Sequence, residues 1–184
     1  GILQIKDSSA NKGGVTCSAI AEVLSAFLLG EDYEHFLVRN ARTRSGLIRS
    51  VLDLIAGNAV AETRMLLSLH GSTGTPLYSL SIQTSEQLLS LQQMLYERIE
   101  DILRRPALVR EVIARYVPEV LMEHLGPTKI MRVLGKPELQ AYRNAIVTKK
   151  LAAMALYRHA SDWDDFLARL ETDFAGELGR LLQD

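Results

Sequence analysis

The sequence predicts a mainly α-helical protein, and two observations carry this prediction. Apolar residues recur at helical spacing along most of the chain, beginning with a stripe over residues 15–28. Glycines and prolines that end or begin helices interrupt the pattern at intervals, as at Gly30 and Pro106. Residues 2–6 depart from it, because their short apolar run is typical of a buried strand. We therefore expect a helical body preceded by a short strand, a polar loop and a first helix.

The first half of the chain contains three predicted helices and one long loop. The first helix ends at Gly30, a shorter one covers residues 32–40, and a long helical pattern runs over residues 45–70. Residues 71–80 are rich in Gly, Ser, Thr and Pro, and this composition predicts the longest loop of the chain.

A second set of helices is predicted after this loop. Thr84 and Gln87 have the spacing of a capping box, in which each side chain bonds a backbone N–H of the other residue. This spacing predicts a helix that begins at Thr84 and runs to Arg105, before a proline. Shorter helices follow, with a stop at Gly126 and with Pro137 in the first turn of another long helix.

The composition excludes several classes of protein. The chain has 21 basic and 22 acidic residues, and this balance does not favour nucleic-acid binding or attraction to a membrane surface. Cys17 is the single cysteine, so no disulfide can form within the chain and a reducing, cytoplasmic location is expected. No apolar run is expected to be as long as the roughly 20 residues of a membrane-spanning helix.

The beginning of the chain suggests a longer parent polypeptide. The sequence opens with "GILQIKDSS", without an initial Met, and places one apparent strand at once. A single strand cannot form a sheet, so its partners must come from elsewhere. We expect the chain to be a piece of a longer protein whose missing part lies upstream.

A small polar loop, "DSSANKGGVTCS", precedes the first helix and has three interpretations. A phosphate-binding loop would need Gly-Lys-Thr at residues 16–18 and a glycine in place of Ser9, and these features are missing. An ordinary joint, in which Gly13 and Gly14 supply backbone freedom, remains open. The density of small polar side chains beside a helix N-terminus favours a third interpretation, a binding site for an anion.

This region resembles a known enzyme segment. The stretch "IKDSSANKGGVTCSAIAEVLSAFLL" resembles the segment that closes the catalytic region of the large, NAD-specific glutamate dehydrogenases. It is similar, more loosely, to the Asn-Ala-Gly-Gly-Val-Thr-x-Ser segment of the smaller hexameric glutamate dehydrogenases. The helical remainder resembles the C-terminal region of the large enzymes in character, notably at "YVPEVL" and "YRNAIVTKKLAAMALYR".

The resemblance implies a division of the chain and an activity of its parent. Residues 1–30 would be the end of a Rossmann-type, dinucleotide-binding catalytic region, and residues 31–184 a helical C-terminal domain. The family oxidises L-glutamate to 2-oxoglutarate and ammonia and passes hydride to NAD. The implied partners are these substrates and the upstream catalytic domains, and we also expect a homo-oligomer.

The resemblance also assigns roles to five residues. Asn11 matches the asparagine beside the nicotinamide, and Gly13 and Gly14 match glycines that let the backbone approach cofactor and substrate. Val15 matches a residue that lines the pocket for the substrate side chain. Ser18 matches the hydroxyl that helps to bind the substrate's side-chain carboxylate, a role that suits a hydroxyl in the first turn of a helix.

The chain should have no chemistry of its own. It lacks a Gly-x-Gly-x-x-Gly fingerprint, and the family's catalytic lysine and aspartate lie upstream of the matched segment. Its four histidines are far apart in sequence, so no metal site is expected, and Cys17 is expected to be inert packing. The alternative is that the helical body is a regulatory or assembly module. Any apolar face left uncovered would be a subunit interface or a contact with the upstream domains.

Overall fold

The computed structural model describes residues 13–183, and throughout this range the ordered elements are helices, with no strand. The prediction of a mainly helical protein is confirmed. The predicted strand at residues 2–6 and residues 7–12 of the polar loop, including Asn11, lie outside the described residues. Residues 13–18, which were predicted to belong to that loop, are helical. The α-helices are α1 (Gly13–Cys17), α2 (Ser25–Leu29), α3 (Ala41–Thr73), α4 (Leu77–Glu97), α5 (Ile99–Leu103), α6 (Pro106–Ala114), α7 (Glu119–Leu134), α8 (Gln140–His159), α9 (Trp163–Thr172) and α10 (Phe174–Arg180).

Wider and tighter helical turns join some of these helices. A π-helical segment, Ser18–Leu24, connects α1 to α2, so residues 13–29 form one continuous helical run. A second π-helical segment, Glu34–Val38, precedes α3, and 3-10 turns occur at Gly30–Asp32 and Pro137–Leu139. We refer to residues 13–29 as the N-terminal run.

One hydrophobic core joins the N-terminal run to the rest of the body. Helices α4 and α8 pack along each other at its centre, where Leu91 and Leu151 are almost completely buried. The N-terminal run contributes Leu24 and Leu28 to the same core and packs against α3 and α7. Burial of apolar side chains therefore holds the run to the helical body.

Several helices begin or end at the glycine and proline residues where the sequence predicts it. Gly30 ends the N-terminal run with a φ of 55°, a backbone conformation that favours glycine. Pro106 is the first residue of α6. Gly126, with φ 72° and ψ 154°, interrupts α7 just before Pro127, as the predicted stop signal requires.

The predicted loop over residues 71–80 is wrong. Helix α3 continues to Thr73, and only residues 74–76 separate it from α4. The hydroxyls of Ser72 and Thr73 donate to the carbonyl of Leu69 at 3.1 and 2.7 Å, so these polar residues remain compatible with the helix. Gly74, with a φ of 70°, then ends the helix.

The predicted helix start at Thr84 is also wrong. Helix α4 begins at Leu77, directly after Pro76, and Thr84 is a buried residue inside it. The Thr84 hydroxyl donates to the carbonyl of Leu80 at 2.8 Å, one turn earlier in the same helix. The spacing of Thr84 and Gln87 therefore does not mark a helix start, because both residues lie inside the helix. The helix ends at Glu97, and α5 follows after Arg98.

Residues Gly14–Asp32 are long and apolar enough to cross a membrane by length and composition alone, with 28% of the window buried. The expectation that no apolar run approaches spanning length is therefore wrong. The mean hydropathy of this window is high because Glu22 is the sole charged residue between Gly14 and Leu29 and most of the other residues are apolar. Core helices of proteins that do not enter membranes pass the same test.

Asp173 links stability to pH through the start of α10. Its carboxylate accepts hydrogen bonds from the Gly176 N–H and the Arg180 guanidinium, both at 2.9 Å, and these two contacts lower the Asp173 pKa below its usual 3.8. Because the folded-state pKa is lowered, this stabilisation is present above the unfolded-state pKa and is lost as pH falls through the folded-state value.

We expect the Asp173→Asn variant to lose less stability than the parent chain when pH is lowered below 4, because it has no carboxylate to protonate. The measurement is the free energy of urea unfolding across an acidic pH series. Asp53→Asn is the matched control, since Asp53 is exposed on α3 and makes no hydrogen bond or ion pair with a described residue. Parallel pH profiles for Asp173→Asn and the parent chain would contradict this account.

Candidate functional site

The N-terminal run contains four of the five residues to which the sequence assigns a role. Gly13, Gly14 and Val15 lie in α1, and Ser18 begins the π-helical segment. Asn11 lies outside the described residues. Gly14 is exposed, and a Cβ built on it would meet no atom of residues 13–183 within 4 Å. The backbone at Gly14 is therefore open to close approach by another molecule.

Ser18 already contacts a carboxylate. Its hydroxyl donates to Oε2 of Glu22 at 3.0 Å, and both side chains are exposed. The role predicted for Ser18 is to bind the carboxylate of a substrate, and Glu22 presents the same chemical group one turn away. Sequence reasoning missed Glu22, although a separation of four residues on a helix places two side chains on the same face.

Val15 and Cys17 both face outward. Val15 is 73% exposed, so a pocket lined by Val15 must take its other walls from outside the described residues. Cys17 is also exposed, so the expectation that its side chain packs within the protein is wrong. The described apolar side chains of the run are buried only from Ile20 onward, so no side chain of α1 belongs to the core.

Two contacts hold the π-helical segment in place. The buried hydroxyl of Ser25 donates to the carbonyl of Ile20 at 2.9 Å, five residues earlier, within the widened turn. The Tyr142 hydroxyl on α8 donates to the carbonyl of Ala19 at 3.4 Å, and its ring packs edge-on against Phe27 at 5.1 Å. Burial and, to a smaller extent, Tyr116 raise the pKa of Tyr142, which keeps its hydroxyl a donor. Segments of π-helix occur frequently at functional sites.

A cavity of about 610 Å³ lies between α5 and α10, away from these residues in sequence. The guanidinium of Arg98 stacks on the Phe174 ring at 3.6 Å, and Asp101 pairs with both Arg98 and Arg104. Three arginines and three carboxylates line the cavity, so its formal charge is balanced and favours no charged ligand. No group of three His, Cys, Asp or Glu side chains that could hold a metal ion occurs in residues 13–183.

Comparison with known proteins identifies relatives along nearly the whole chain. The chain is 32% identical over 171 residues to glutamate dehydrogenase 2 of Dictyostelium discoideum, a match that covers 90% of the chain and 16% of that protein. It is 28% identical over 171 residues to the probable NAD-specific glutamate dehydrogenase of Schizosaccharomyces pombe, covering 90% of the chain and 15% of the relative. The resemblance to the NAD-specific glutamate dehydrogenases is confirmed.

A third relative agrees with these two. The NAD-specific glutamate dehydrogenase of Saccharomyces cerevisiae is 29% identical over 171 residues, covering 88% of the chain and 15% of that protein. The chain therefore spans about one sixth of the length of the glutamate dehydrogenases it matches. No family model and no solved structure matches the chain.

Proposed function

We propose that the chain is the C-terminal segment of an NAD-dependent glutamate dehydrogenase and that its N-terminal run forms one rim of the active site. The parent enzyme would oxidise L-glutamate to 2-oxoglutarate and ammonia. The observation that carries this proposal is sequence similarity to named glutamate dehydrogenases over 88–90% of the chain. Residues 1–30 would belong to the catalytic region, and residues 31–184 would form a helical domain.

Each proposed site residue has a limited task in this enzyme. Asn11 would contact the nicotinamide end of NAD, and the open backbone at Gly14, with Gly13, would allow cofactor and substrate to approach. Val15 would cover one side of the substrate's aliphatic chain. NAD would supply the acceptor for the hydride, while the groups that move the substrate's protons would come from the upstream region.

Ser18 would donate a hydrogen bond to the side-chain carboxylate of glutamate. The supporting observation is that its exposed hydroxyl already donates to a carboxylate, that of Glu22. A bound substrate would have to replace Glu22 as the acceptor, because Ser18 has one hydroxyl hydrogen to donate. Glu22 would therefore compete with the substrate and place a second negative charge close to it.

Replacing Ser18 with alanine in the full-length polypeptide tests this assignment. Loss of a hydrogen bond to a charged group costs about 1.5–3 kcal/mol, so we expect kcat/KM for glutamate to fall about tenfold or more. The matched control is Cys17→Ala, which changes the neighbouring exposed residue and should leave the kinetics unchanged. An unchanged KM and kcat in Ser18→Ala would overturn the role of Ser18.

Replacing Glu22 with glutamine in the same polypeptide should have the opposite effect. The substitution removes the negative charge beside Ser18, so we expect the KM for glutamate to fall. Steady-state kinetics at several ionic strengths provide the measurement, since an electrostatic effect should shrink as salt screens it. A KM that rises in Glu22→Gln would instead assign Glu22 a supporting role in substrate binding.

The alternative function is a helical regulatory or assembly module without chemistry of its own. It is favoured by residues 31–184, which carry no catalytic motif. Truncating the full-length polypeptide after Leu29 distinguishes an assembly role of this region from a regulatory role. Loss of the oligomer would indicate an assembly module, whereas altered kinetics in an intact oligomer would indicate regulation. A cytoplasmic homo-oligomer remains our expectation for the parent enzyme.

A further inference from the structure

Helix α3 buries some of its large apolar side chains and leaves others exposed. Leu47, Val51 and Leu66 are buried in the core. Four other large apolar residues of the same helix are exposed: Ile48 is 53% exposed, Leu52 58%, Val60 47% and Leu67 43%. They follow one another at separations of four, eight and seven residues.

These exposed residues form a long stripe. At about 100° per residue, the separations place all four side chains within roughly one third of the helix circumference. At about 1.5 Å per residue, the stripe from Ile48 to Leu67 is nearly 30 Å long. Apolar side chains scattered singly on a surface are common, but four large ones aligned along one helix over this length favour a contact surface.

The N-terminal run lies beside α3 and is also incompletely covered. The two elements pack against each other, and the run exposes Val15 at 73%, Val23 at 38% and Phe27 at 42%. Only 28% of the apolar window Gly14–Asp32 is buried. This part of the chain resembles the end of a catalytic region. Its exposed apolar residues are therefore expected to contact the remainder of that catalytic region.

We propose that the stripe on α3 and the exposed side of the N-terminal run together bind the upstream catalytic region of the same polypeptide. We call this surface the docking face and define it by Val15, Val23, Ile48, Leu52, Val60 and Leu67. This inference rests on the proposed function, because the occupant is the part of the parent enzyme outside this chain.

Three observations favour this occupant over a second copy or a membrane. The chain spans only 15–16% of its relatives, so most of such a polypeptide is available to cover the face. Ser18, the proposed substrate contact, is exposed on the same run and must meet the remainder of the active site. Glu22 and Arg49 lie exposed among the apolar residues, and charged side chains are costly inside a membrane.

Cysteine labelling in the full-length polypeptide tests the docking face. We would place a cysteine at Leu52 in a Cys17→Ser background and measure its reaction with a maleimide by peptide mass spectrometry. Ser68→Cys is the matched control, because Ser68 is exposed on α3 about 160° around the helix from Leu52. We expect Leu52→Cys to react many-fold more slowly than Ser68→Cys, and equal rates would overturn the proposal.

A photo-reactive maleimide, attached at the same position by prolonged labelling, then identifies the occupant. We expect cross-links from Leu52→Cys to peptides of the upstream region. In a mixture of isotope-labelled and unlabelled subunits, both cross-linked peptides should carry the same isotope label, because they belong to one polypeptide. Cross-links to α3 of a second copy, or to lipid, would overturn the proposal. If Leu52→Cys fails to assemble, Ile48→Cys provides the same readouts.

Activity of the same samples separates this inference from the proposed function. Cross-links to the upstream region in a protein without glutamate-dependent NADH formation would support the docking face and contradict the proposed function. An active dehydrogenase whose Leu52→Cys label remains freely reactive would contradict the docking face alone.

Discussion

Replacing Leu24 with alanine should destabilise the chain by about 2–5 kcal/mol, because a large apolar side chain would be removed from a filled site. Leu24 is fully buried and belongs to the core that includes α4 and α8. The loss has two sources, the lost transfer of apolar surface from water and the cavity that remains. We would measure the free energy of unfolding by urea denaturation, monitoring helical content.

The neighbouring residue provides the control for this prediction. Val23 is 38% exposed, whereas the adjacent Leu24 is fully buried, so Val23→Ala should cost much less. Equal, small losses for the two variants would show that the N-terminal run does not share the core. A large loss confined to Leu24→Ala would show that the segment with the predicted site residues is anchored by the helical body.

Replacing Gly126 with alanine should cost about 1–3 kcal/mol through backbone strain. Gly126 has φ 72° and ψ 154°, a conformation that residues with a Cβ rarely adopt, and it separates the two parts of α7. A Cβ at this position would meet no atom within 4 Å, so crowding contributes nothing to the cost. The measurement is again the free energy of urea unfolding.

Gly57→Ala is the matched control for backbone strain. Gly57 lies inside α3, is exposed, and has no atom within 4 Å of a Cβ built on it. An alanine there should stabilise the chain by about 0.5–1 kcal/mol, because glycine loses more backbone freedom in a helix. Two substitutions of the same kind should therefore have effects of opposite sign. Stabilisation by Gly126→Ala would contradict the backbone conformation described here.

The helical fold could be predicted from the sequence because it depends on local signals, namely the apolar periodicity and the glycines and prolines at helix ends. Gly30 and Gly126 mark helix interruptions in both the sequence and the structure, since their positive φ values are needed there. Polar composition was a poorer guide over residues 71–80. The hydroxyls of Ser72 and Thr73 donate hydrogen bonds to a helix carbonyl. Residues 71–73 therefore remain helical although their composition is typical of a loop.

The candidate site was predictable only in part. A motif resemblance assigned roles to Ser18 and Val15, and the relatives support the family from which those roles were taken. The contact between Ser18 and Glu22 was missed because the motif was compared residue by residue, without considering the helix face. The walls opposite Val15 could not be predicted, since no described residue supplies them.

The most direct test of the central claim is glutamate-dependent formation of NADH by the full-length polypeptide and by the isolated chain. The claim is that this chain supplies one rim of a glutamate dehydrogenase active site and lacks the groups that perform the chemistry. We expect the full-length protein to reduce NAD in the presence of L-glutamate, and the isolated chain to form no NADH. NADH formation by the isolated chain, or its absence in the folded full-length protein, would contradict the claim.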